Sequence, residues 1–185
     1  MQNEKMNELA HICLTHYYYK DTEPLKNIML LPEEEAFKKA AELAAEHPET
    51  KSFYRFADFV NYYPRRKAAD EWLYNHFKAL GGKPELKHPY SFVLFENAYL
   101  KEWFSNGESV KVLLSDIPEE QVSFTLGDSC AVYEREGDIA LRTKKMLFEE
   151  INAFEGTVEE YAKFIEEKHY YIEVQVWCEL GSKVK

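Results

Sequence analysis

The nine residues YYIEVQVWC, positions 170–178, constrain the fold more than any other stretch of this chain. They alternate without a break. Ile172, Val174, Val176 and Cys178 fall on one side of an extended strand, and Tyr171, Glu173, Gln175 and Trp177 on the other. Such a strand requires a sheet with at least one packed face. Its second face carries a carboxylate and an amide between two aromatics, which would be costly to bury without partners. That face is therefore either an exposed sheet surface or the lining of a cleft, where Glu173 could meet a developing positive charge.

The remaining chain predicts the partners of this strand. Residues 11–16 read as a strand with Ile12 and Leu14 on one face and Cys13 and Thr15 on the other; His16 continues the Leu14 series at the strand's end. Pro32 opens a helix over 33–46, with Glu33, Glu34 and Glu35 in the turn that the helix dipole favours for acids. A helical pattern from about Ser52 to Tyr62 is interrupted by Pro64. The next helix spans 65–80, where Ala69, Trp72, Leu73, His76, Phe77 and Leu80 recur at helical spacing before Gly81-Gly82. Beyond residue 88 the pattern shortens. YSFVLF, SVKVLL and VSFTL read as strands and NAYLKEWF as a short helix, while SCAVYERE and IALR flank a hairpin turn at Gly137-Asp138. KKMLFEEINAF and VEEYAKFIEEK are helical, the second entered through a Thr157/Glu160 capping box. This order predicts a single α+β domain over 1–185: a twisted, mainly antiparallel sheet with packed helices. It is helix-rich over 17–88 and strand-rich over 89–142, with helices and the final strand over 143–178.

Composition narrows the function. A formal charge of −10 argues against a broad nucleic-acid footprint, which needs clustered Lys and Arg. Residues 51–88 nonetheless hold eight basic residues against four acidic ones, which permits a local anion site. The thirteen tyrosines hint at a recognition surface, since tyrosine favours pocket walls and interfaces. The opening MQNEKMNELA lacks the pattern of a signal peptide, and no run approaches the ~20 apolar residues of a membrane span. Cys13, Cys130 and Cys178 are far apart and odd in number, which predicts buried free thiols in a reducing cytoplasm. The histidines lack ligand spacing, so no metal is expected. Gly127-Asp128-Ser129 is reminiscent of serine esterases with a GDS motif, but its position and the missing Asp-x-x-His argue against one.

Three segments carry a resemblance: LTHYYYKDTEPLKNIM, VNYYPRRKAADEW and YIEVQVW. In this order they resemble the opening strand, middle motif and late catalytic strand of the ADP-ribosyltransferase superfamily, in its branch of bacterial DNA-modifying toxins and phage-defence proteins. The resemblance covers about 40 residues of the 185. It implies an enzyme that breaks the nicotinamide–ribose bond of NAD, with Glu173 as the catalytic carboxylate that stabilises the oxocarbenium ion. It also implies that His16 holds the nicotinamide ribose, that Tyr62 or Tyr63 stacks on nicotinamide, and that Arg65 contacts the pyrophosphate. The acceptor, nucleic acid or protein, is left open, and the serine that often follows the arginine is missing here. Against this stand structural roles. Arg66 can pair with Asp70, and Lys67 with Glu71, at i,i+4. A second reading is a non-catalytic, acidic binding or immunity-type protein whose exposed tyrosines meet a basic partner.

Overall fold

The structure, a computed structural model, describes Lys5, Glu8, Leu9 and residues 11–181. The reading of residues 1–10 as lacking a leader falls largely outside that range. The fold is α+β, one antiparallel six-stranded sheet with helices on both faces. Its strands are β1 (Cys13–Tyr18), β2 (Tyr90–Leu94), β3 (Glu108–Leu113), β4 (Val122–Leu126), β5 (Arg142–Thr143) and β6 (Ile172–Val176). They stand in the order β3-β1-β2-β6-β4-β5, so the last strand lies inside the sheet. The helices are α1 (Glu33–Glu46), α2 (Tyr54–Ala57), α3 (Phe59–Ala79), α4 (Ala98–Trp103), α5 (Ser129–Glu136), α6 (Lys144–Ala153) and α7 (Val158–His169). No helix among the described residues is long and apolar enough to cross a membrane.

One face of the sheet is dry. Leu14, Phe92, Val174, Val176 and Phe124 meet Leu147 and Ile151 of α6 and Val158, Tyr161 and Ile165 of α7. The α7 start carries both halves of the expected capping box, Thr157 and Glu160. The opposite face is covered by α3 and by the segment after α5, through Leu73, Phe77, Ile139, Leu141 and Trp177. Helix α1 packs its small side chains Ala36 and Ala40 against Phe59 at the start of α3.

Three local expectations change. Pro64 lies inside α3, not between two helices. The N–H it lacks would have bonded the Val60 carbonyl; Val60 is exposed, so solvent can take that place. Residues 129–136 form helix α5, not a hairpin arm. Asp128 caps its start by accepting the Ala131 N–H at 3.0 Å, and Gly137 ends it at φ 70°, the left-handed conformation a helix C-cap favours. Finally, β1 continues through Tyr17 and Tyr18, so His16 sits within a strand instead of ending one.

Candidate functional site

Sheet register decides which side chains share a face. Thr15 pairs with Val93, Val93 with Glu173 and Glu173 with Thr125, which makes one row across four strands. Ser91, Gln175 and Ser123 make the next row on the same face. This face is neither open nor a cleft. Glu173 is 5% exposed, and Gln175, Ser123, Thr125 and Trp177 are buried with it. A polar layer is thus sealed between the sheet and helices α3 and α5.

What makes that burial tolerable is a run of hydrogen bonds in one direction. Trp177 Nε1–H donates to Ser123 Oγ at 2.9 Å, and Ser123 donates to Gln175 Oε1 at 3.0 Å. Gln175 Nε2 donates to Thr125 Oγ1 at 2.9 Å, and Thr125 reaches Glu173 Oε2 at 3.4 Å. The run ends on the acceptor-only carboxylate, which also takes the Ser129 N–H at 2.7 Å and the Ser91 hydroxyl at 3.2 Å.

Charge balance comes from α3. Arg66 is buried with its Nε 2.8 Å from Asp70 Oδ1, and His88 Nδ1 lies 2.7 Å from Asp70 Oδ2. The i,i+4 partnership of Arg66 and Asp70 is thus present, but inside the protein rather than on a solvated helix face. Burial pushes the Glu173 carboxyl above its ordinary value; the Arg66 charge opposes that push and Asp128 reinforces it. Asp128 goes the other way. Burial works against its charge too, but Arg55, the Ala131 N–H and Arg66 outweigh it and hold the carboxyl below its usual range.

Asp128 marks the edge of the sealed layer, where β2 and β4 end and β6 begins. Arg55 reaches it from α2 with an Nη2–Oδ2 distance of 3.0 Å. The Arg55 guanidinium lies 5.6 Å from the Tyr54 ring centre and 5.4 Å from that of Tyr62. Around this pair stands a chain of rings. Tyr54 meets Trp103 at 5.6 Å, Trp103 meets Tyr99 at 6.0 Å, and Tyr99 meets Tyr170 at 5.4 Å and Tyr171 at 6.4 Å. Tyr54, Tyr99 and Tyr170 are 56%, 47% and 67% exposed.

Two features hold this rim in place. Asn97 caps α4 by accepting the Leu100 N–H and receives the Tyr17 hydroxyl as partner for its own N–H. Its Nδ2 donates to the Tyr170 carbonyl at 2.9 Å and to Glu166 at 3.0 Å, tying α4 to the end of α7. Tyr170 has φ 69° and ψ −36°, a conformation that costs a non-glycine residue about 1–3 kcal/mol. The Tyr170 ring itself is exposed to solvent.

The expected site residues part company. Glu173 and Tyr62 come to the same end of the same face, both under the influence of Arg66. His16 does not. It shares the dry face with Leu14, its ring 5.3 Å from Phe92. Its Nδ1 lies 2.8 Å from the Ser91 carbonyl and its Nε2 accepts the Leu25 N–H at 3.3 Å. Both nitrogens are used, burial lowers the ring's pKa, and the neutral imidazole pins the turn at Leu25. The expectation of one ribose between His16 and Glu173 is corrected by the register: the two residues lie on opposite faces of the sheet. Tyr63 packs on Phe37 and Phe59, and Arg65 pairs with Glu134 at 2.9 Å on the surface, so neither joins Glu173. The cations at this end are Arg55 and Arg66. Arg66 was visible as the i,i+4 partner of Asp70. Asp128 and Gly137, which flank the eight residues SCAVYERE, form a helix-cap pair that could have revealed α5 and the Asp128 edge.

A separate surface hollow of about 380 Å³ is lined by Tyr17, Glu96, Lys101 and Glu108, and not by Glu173. No protein-family model matches the chain, and no curated protein or solved structure is significantly similar to it.

Proposed function

We propose that the protein acts by binding, and that its recognition surface is the aromatic rim formed by Tyr54, Trp103, Tyr99 and Tyr170 beside Arg55 and Asp128. The observation that carries this reading is the run of rings, with Tyr54, Tyr99 and Tyr170 exposed, drawn from three distant chain segments onto one edge. Contiguous apolar surface of this kind marks interaction sites on soluble proteins, and tyrosine and tryptophan supply large contact areas at low entropic cost. The sealed layer beneath, Glu173–Ser129 and Arg66–Asp70, gives the rim a rigid floor. Thermal shift with NAD, nicotinamide, a basic peptide and an acidic peptide tests the reading, because a ligand at 100 times its Kd adds ~2.7 kcal/mol. At least one probe should stabilise the wild type and fail to stabilise a Tyr99→Ala/Tyr170→Ala variant. No effect from any of them refutes the rim.

A second reading is NAD-dependent ADP-ribosyl transfer of the toxin or phage-defence kind, to a nucleic-acid or protein acceptor. Its support is the convergence of Glu173, Tyr62, Arg55 and Arg66 on one end of the sheet. In this reading Glu173 stabilises the oxocarbenium ion, Tyr62 stacks on nicotinamide and Arg55 takes the pyrophosphate role expected of Arg65. NAD would have to displace the Asp128–Ser129 segment, which covers the carboxylate. Nicotinamide release by the wild type, lost in Glu173→Gln, supports it; equal release by both proteins counts against it.

A further inference from the structure

We infer that the partner of the aromatic rim is a cationic protein segment, one that presents arginine side chains to the rings of Tyr99, Trp103 and Tyr170. This rests on the rim being the binding surface and says what it binds.

The rim already shows how it takes a guanidinium. Arg55 lies against the rings of Tyr54 and Tyr62, with the Asp128 carboxylate 3.0 Å from its Nη2. Ring faces carry negative electrostatic potential and attract cations, arginine best because its plane also stacks. Half of the rim is thus filled from within the chain. The other half repeats the ring chemistry without the cation: among the described residues, no Lys or Arg stands over Tyr99, Trp103, Tyr170 or Tyr171. Yet Tyr99 and Tyr170 are turned outward, and Asn97 Nδ2 fixes the Tyr170 backbone by donating to its carbonyl.

Charge selects among occupants. The chain carries −10 overall, with Glu166 beyond Tyr170, while the Asp128 charge at the rim's inner edge is already matched by Arg55. A phosphate-bearing ligand would meet that field and would need Arg55, which Asp128 already holds. An arginine-bearing segment is drawn in by the same field and needs none of the existing pairs broken.

The test uses the whole protein and three probes: a peptide of alternating Gly and Arg, its Gly-Lys counterpart and its Gly-Glu counterpart. Binding is followed by calorimetry near physiological salt, where screening limits nonspecific attraction to the acidic chain. The Arg peptide should bind saturably, the Lys peptide more weakly and the Glu peptide not at all. A Tyr99→Leu/Tyr170→Leu variant keeps the net charge and most of the apolar area but removes two ring faces, and should bind the Arg peptide at least tenfold more weakly. Circular dichroism establishes that this variant is folded; should it fail to fold, Tyr170→Leu alone replaces it, with at least threefold weaker binding expected. Equal binding by wild type and variant overturns the proposal, because attraction would then be to net charge alone. Binding of the Glu peptide in place of the Arg peptide also overturns it, while leaving the rim as a binding surface. Silence from every probe overturns both readings.

Discussion

Replacing Arg66 by Met tests the idea that the sealed layer is held by its charge balance. Arg66 is buried, stands 2.8 Å from Asp70 Oδ1 and offsets the charge of Glu173, and both acids are themselves buried. Met fills much of the volume of the arginine stem, so the loss is chiefly electrostatic. Afterwards Asp70 keeps His88 at 2.7 Å, and Glu173 keeps the Ser129 N–H at 2.7 Å, but the layer has lost its buried guanidinium. Removing one partner from a buried pair costs about 3–5 kcal/mol. For a chain of this length each kcal/mol moves Tm by roughly 2–4 °C, so Tm should fall by about 6–20 °C. Urea titration followed by far-UV circular dichroism measures the same loss as a free energy. Asp70→Asn in the Arg66→Met background should then cost less than in the wild type, since the partner is already gone, with a coupling of about 0.5–3 kcal/mol. An Arg66→Met variant less than about 1 kcal/mol below wild type would refute the reasoning. So would strict additivity with Asp70→Asn.

Three further outcomes are expected. Glu173→Gln should change the pH dependence of stability: a carboxyl raised by burial stabilises the fold below its unfolded value, near 4.5, and loses that contribution as pH rises through the folded one. The stability of the variant relative to wild type should therefore climb with pH between the unfolded value and the folded one, and a flat or falling difference across that window contradicts the assignment. Asp128→Ala removes both the α5 cap and the Arg55 pair and should cost about 1–3 kcal/mol, whereas Asp128→Asn keeps the cap and should cost less than half as much. Burial pushes the Cys130 thiol up to about 11, so a thiol reagent at pH 8 should label it in denatured protein and leave it unmodified in the native one.

Much of the architecture was legible because it is local. The capping box at Thr157, the acid-rich start of α1 and the alternation of β6 each depend on residues a few positions apart. Where two local signals competed, the reading failed. Gly137-Asp138 suits a hairpin turn, but the same glycine ends α5 once Asp128 has capped its start. Pro64 suits a helix boundary, but α3 accepts it at an exposed turn near its N-terminal end. The separation of His16 from Glu173 was already implicit in the alternation. Leu14 and Val174 share the dry face; His16 follows Leu14 by two, and Glu173 lies one residue from Val174.

By itself, the sequence determined an α+β chain, the two-sided character of its last strand and the helices that pack against the sheet. All of these follow from side-chain period and end caps, which act within one element. Only the tertiary structure decided that β6 lies between β2 and β4. That placement buries Glu173 under α3 and α5 instead of leaving it on a solvent face, and it brings Arg66 from more than a hundred residues away to balance the charge. It also gathers Tyr54, Tyr99 and Tyr170 onto one edge. Strand order and the meeting of distant rings are set by non-local packing, and a period of two or of 3.6 carries no record of which strand will be the neighbour.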